Sequence, residues 1–181
     1  RTELEYEKAC RGTMIPVANE YAWGNASARN GIYSGSNLGT TDEGVSDPET
    51  GISGNAIHDN SFTLGPMRVG LFAGLGSNRV NSGASFYGTM ELSGNLFERI
   101  VTVSNATGRL FEGNHGEGSV DSEGNANTNT WPGTIVTGTG DRGGSFARDV
   151  SMMRVSDRQR AGIASSGRIA LFGGRGLRVL P

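Results

Sequence analysis

Glu91 and Glu98 stand seven residues apart in the stretch ELSGNLFER (91–99), with a Gly-Asn pair between them. Two carboxylates so placed can work as an acid-base pair, lend oxygens to a cation, or merely flank a turn. An acid-base pair needs apolar surroundings that raise one carboxyl selectively, and nothing apolar is placed to do that. A turn at Ser93-Gly94-Asn95 can instead bring the side chains of Glu91 and Glu98 toward the carbonyls of Gly94 and Leu96. Hard oxygen donors from a tight glycine loop suit Ca2+. On spacing alone, a turn carrying two solvated acids is the stronger reading.

The other constellations are thinner. GTGDRG (138–143) matches the dinucleotide-binding pattern, but no helix pattern or βαβ unit follows, so a glycine-rich turn is expected. His58 and His115 are the only histidines, and both fall in polar loops without helical pairing. They read as exposed loop residues and not as a two-histidine metal site. No serine sits in a nucleophile elbow. Tyr21, Trp23, Phe86, Tyr87, Phe97 and Trp131 read as core aromatics near turns. Aromatics among arginines can stack bases, yet the net charge of -2 and the single lysine, Lys8, argue against nucleic acid.

Elements that would position these residues are few. The chain has 181 residues, enough for one domain with a core, and 30 of them are glycine, with no Gly-X-Y period. That content predicts turns and irregular loops. No apolar run approaches a membrane span. The sequence lacks an initiator methionine and starts inside a helical pattern, so upstream sequence is expected. Cys10 is the only cysteine, which removes an internal disulfide and predicts a buried, inert thiol.

Helix signals are clearest in TELEYEKACRG (2–12): Thr2 and Glu5 form a capping box, Leu4, Ala9 and Cys10 supply an apolar stripe, and Gly12 is the stop. EYAWGN (20–25) reads as a short buried strand and turn. Residues 24 to 65 form a long loop-rich stretch. MRVGLFA (67–73) alternates like a strand, and a further strand is expected from Phe97 to Val103. GEGSVDSEGNANTN (116–129) is a polar loop, and GGSF, SMMRVSDR and RIALFGGRGLRVL read as short strands and turns. The class is α+β. From Asp141 to Pro181, eight arginines face three aspartates. Arg142, Arg154, Arg158, Arg175 and Arg178 are expected as internal salt-bridge partners.

Taken in order, TELEYEKACRG, EYAWGN, SFYGTMELSGNLFER, RGGSF and GGRGLRV resemble the formylglycine-generating-enzyme (sulfatase-modifying-factor) family across nearly the whole chain. The resemblance implies a single domain over 1–181 with an elaborated C-type-lectin-like α+β fold. It also implies a structural calcium held by Glu91 and Glu98 side chains and Gly94 and Leu96 carbonyls, with Glu91 in place of the family's Asp or Asn. The copper-binding cysteines of that family fall on Arg148 and Met153, neither of which supplies a thiolate, so the resemblance predicts scaffold without catalysis. A residual metal-dependent oxidase and a carbohydrate-binding module are the rival readings.

Within the family, VNSGASFYGTMELSGNLFERIVTVSNATGR, WPGT, RGGSF, RVSDR and FGGRGLRVLP look like variable proteins of diversity-generating retroelements. That likeness implies a variable region over about 141–181 and a receptor- or adhesin-like display role on a cell or virion surface. Its ligand-contacting residues would be Ala147, Arg148, Gln159, Arg160, Ile163, Ser165, Ser166, Gly167, Ile169, Ala170 and Leu171. They should share one exposed face, above Arg142, Asp157, Arg158 and Arg175 as hydrogen-bonded scaffold. Arg148 and Arg160 beside Ile163, Ile169 and Leu171 favour an amphipathic, partly acidic macromolecule, a protein before a plain sugar.

Overall fold

A computed structural model describes residues 1–30, 32–60, 65–132 and 136–174. Helix α1 spans Glu3–Arg11. Thr2 caps it, accepting from the Glu5 N–H while Glu5 accepts from the Thr2 N–H, and Gly12 ends it at φ 62. These local contacts satisfy donors that a helix end leaves open. Its buried stripe is Glu3, Tyr6 and Cys10. Leu4, expected in that stripe, is exposed instead. One residue turns a helix by about 100°, and burying Glu3 sends Leu4 outward.

Two small sheets follow. β1 (Gly35–Ser36) and β2 (Gly44–Val45) form an antiparallel pair within the loop-rich stretch. The main sheet has the order β4-β3-β5, from Phe97–Val101 (β3), Thr139–Arg142 (β4) and Phe172–Gly173 (β5). β3 runs antiparallel to β4 and parallel to β5. A one-turn helix α2 (Ala106–Arg109) and a 3-10 helix at Val150–Met153 complete the regular structure among the described residues. The architecture is mixed α and β with few helices and small sheets, as an α+β class requires.

Alternation along β3 sends Glu98 and Ile100 to one face and Phe97, Arg99 and Val101 to the other. Ile100 packs with Tyr6, Cys10, Ala22, Leu92 and Val155 under α1. A second cluster gathers Tyr33, Ile57, Met67, Leu71, Phe72 and Phe146, and a third gathers Tyr21, Trp23, Ala56 and Met153. Close approach requires glycine at 140, where an added Cβ would lie 1.8 Å from the Ala161 carbonyl oxygen.

Several expected elements differ. EYAWGN is buried through Glu20–Trp23 but forms a turn, closed by Gly24 N–H to Tyr21 carbonyl. MRVGLFA is also a turn, with Gly70 at φ 80 and the Ala73 N–H bonded to its carbonyl. Alternation there has no neighbouring strand to pair with, so it carries no sheet. Phe86 and Tyr87 are exposed, not core, and Trp131 is half-buried.

Candidate functional site

ELSGN is a buried hub. Its backbone bends through left-handed conformations at Glu91 (φ 61), Gly94 (φ 93) and Asn95 (φ 63). The Asn95 side chain closes a two-way contact with the Met67 backbone, accepting from its N–H and donating to its carbonyl, both at 2.9 Å. The Ser93 hydroxyl accepts from the Ala22 N–H and donates to the Met153 carbonyl. Tyr6 donates to the Leu92 carbonyl from α1. The turn thus ties the helix, the 56–67 region and the 3-10 helix together.

Of the four residues expected to hold calcium, Glu91, Gly94 and Glu98 are buried and Leu96 is half-buried. The Glu98 carboxylate is buried against the Arg1 guanidinium. The Gly94 carbonyl accepts the Leu96 N–H at 2.8 Å, closing the turn. Glu91 is buried beside Tyr33, and Leu96 packs against the second core cluster. No group of three or more acidic, histidine or cysteine side chains among the described residues is arranged to hold a metal. Glu98 has a second carboxylate oxygen beyond the one that meets Arg1, and thermal unfolding with and without EDTA tests the calcium expectation: an unchanged Tm would leave Arg1 as the partner that neutralises Glu98. A fall in Tm that added calcium restores would show that the ion, not Arg1, neutralises Glu98.

The histidines are not exposed. His58 is 1% exposed, with its ring nitrogens 3.0 Å from Asp59 Oδ2 and 3.0 Å from the Arg29 carbonyl. His115 Nε2 lies 2.8 Å from Glu5 Oε1, and the ring packs against Phe111 and Trp131. Polar loops carry both in sequence, but these loops fold back onto the body of the protein. Burial pushes the Glu5 carboxyl up, yet hydrogen bonds from the Thr2 N–H, His115 and the Thr2 hydroxyl outweigh it and leave the group below its usual value. The Cys10 thiol is buried and pushed up to about 12, chiefly by loss of water, so it is inert as a nucleophile.

An ion cluster anchors the C-terminal region. Arg142 reaches Glu3 at 2.7 Å and Glu7 at 3.3 Å, and donates to the Val155 carbonyl. Arg158 pairs with the same two glutamates. Arg142 and Arg158 are thus internal partners, as expected. Asp157 is partly buried and accepts from the Gln159 N–H. Arg154 makes no ion pair among the described residues, and Arg175 and Arg178 lie outside them.

None of the eleven expected contact residues is buried. They do not have one environment. Ser165, Ser166, Gly167 and Ile169 line a groove of ≈ 790 Å3. Arg148, Gln159, Ile163 and Ala170 are exposed without lining it. Ala147 and Leu171 pack against the Tyr33–Phe146 cluster, and the Leu171 carbonyl accepts from the Phe97 N–H. Arg160 bonds Asp141 at 3.1 Å and lies over the rings of Phe97 and Phe172. These last three have structural work beside any contact with a ligand.

The groove is also lined by Val120 and Ala126 of the expected polar loop, and by Trp131 and Pro132. Arg99 and Phe172 line it too, with the Arg99 guanidinium 4.6 Å from the ring centre. Alternation along β3 was the only available signal, since it places Arg99 opposite the α1-facing side chains. Asp141 sits beneath, held by Arg99 at 3.3 Å and by Arg160. Its burial raises the carboxyl above the usual range, and the two guanidinium groups oppose that rise. Among the described residues its lining combines apolar side chains with arginines and holds no aspartate or glutamate. No family model matches the chain, and no curated protein matches it.

Proposed function

We propose that this chain is a non-catalytic ligand-binding protein, a variable protein of a diversity-generating retroelement built on a C-type-lectin-like scaffold. The observation that carries the reading is the accessibility of the eleven contact residues: seven are exposed and four are half-buried, although the flanking stretch Asp141–Phe146 is buried throughout. A site that changes between copies cannot sit in the core, because a large-to-small core substitution costs about 2–5 kcal/mol against a total stability of about 5–15 kcal/mol. Residues 160–171 also lack regular structure, so side chains there are not bound to a helical or strand period.

Catalysis of the formylglycine type is not part of the proposal. By the resemblance, Arg148 and Met153 stand at the positions where that chemistry needs thiolates, and Met153 is buried. Incubation with copper and a cysteine-containing sulfatase-type peptide should yield no formylglycine above background; product above background overturns the reading. A neighbouring reverse transcriptase gene with a near-copy of the sequence encoding the C-terminal region is the genomic observation expected. No helix among the described residues is long and apolar enough to cross a membrane.

A further inference from the structure

We infer that the groove between β3–β5 and the 120–132 loop takes an extended peptide segment of a partner protein, one that presents a carboxylate beside an apolar side chain. The inference rests on the ligand-binding reading above and adds a wall outside the variable region. Val120 and Trp131 of the loop line it together with Ile169 and Phe172. Val120 is 66% and Ile169 54% exposed, which is apolar surface that water does not favour. Trp131 is held by an edge contact to Phe111 at 5.0 Å and by His115, itself fixed to Glu5, so this wall is ordered before a ligand arrives.

Charge selects the chemistry of the occupant. Among the described residues Arg1, Arg99 and Arg168 line the groove, and no aspartate or glutamate does. Arg1 is already paired with Glu98 and Arg99 with Asp141. Arg168 is exposed and makes no ion pair or side-chain hydrogen bond among the described residues. One uncommitted guanidinium beside apolar walls matches a single carboxylate flanked by apolar groups. A nucleic-acid strand brings a charge at every phosphate and would need a continuous basic track, which the one uncommitted arginine among the described lining residues does not provide.

The test is selection of binders to the full chain from a random phage-displayed heptapeptide library, followed by titration of the selected peptides as synthetic probes. Expected are Asp or Glu next to Leu, Ile, Phe or Trp in the selected set. Arg168→Glu and Val120→Asp, both at exposed positions, should each weaken binding by about tenfold or more with Tm unchanged. Triple substitution of Arg148, Gln159 and Ile163, outside the groove, is the companion variant. Loss of binding in the triple variant alone overturns the groove assignment and leaves the ligand-binding reading standing. Failure to select any binder, or binding unmoved by both sets, overturns both. Selected peptides without acidic residues, or equal or tighter binding of an oligothymidylate probe, overturn the peptide chemistry.

Discussion

Replacing Glu3 by alanine should lower Tm by about 6–20 °C. Glu3 is 1% exposed and receives Arg142, which is itself buried, together with Arg158. Its second oxygen accepts from the Thr102 hydroxyl and the Val103 N–H. Breaking a buried pair from one side leaves a charge without compensation, a loss of about 3–5 kcal/mol. In a domain of this size each kcal/mol moves Tm by roughly 2–4 °C. Glu7 lies near both arginines and offsets part of the loss, so the lower end is the better guide for Glu3→Ala alone. The double variant Glu3→Leu, Arg142→Met should recover much of it, because the apolar pair needs no desolvated ions and Arg158 keeps Glu7. Thermal unfolding of Glu3→Leu, Arg142→Met and the double variant measures the coupling. A fall of less than about 2 °C in Glu3→Ala would show that the cluster is not what holds α1 to β4.

Simultaneous exchange of Arg148, Gln159, Ile163, Ser166, Ile169 and Ala170 for other residues should abolish binding of the peptides selected above while shifting Tm by only a few degrees. All six are exposed, and surface substitutions usually stay within about 0.5 kcal/mol each. Leu171→Ser sets the contrast. Leu171 packs against the cluster of Tyr33, Ile57, Met67, Leu71, Phe72 and Phe146, so this one change should cost more stability than most of the six. The proposed role predicts a division within the variable region between residues free to change and residues that also support the core. A large loss of Tm in the sixfold variant, with Leu171→Ser nearly silent, would reverse that division and defeat the proposal.

Local signals determined what they could reach. The capping box of Thr2 and Glu5 spans three residues and was legible in the chain, and the strand expected over Phe97–Val103 forms over Phe97–Val101. The burial of Cys10 followed from its place in the helical pattern, and the wealth of glycine foretold the scarcity of regular structure. Tertiary structure decided the rest. Glu3 displaced Leu4 from the buried stripe because its partner Arg142 lies 139 residues away, and no local period records that distance. Glu98, plausible as a calcium ligand by spacing, meets the guanidinium of Arg1. The polar loop became a groove wall because His115 docks on Glu5 across 110 residues and brings Trp131 with it. Ion pairs and ring contacts act over a few ångströms in space whatever the separation along the chain. Which charges meet, and therefore where the groove opens, is set only once the chain has folded.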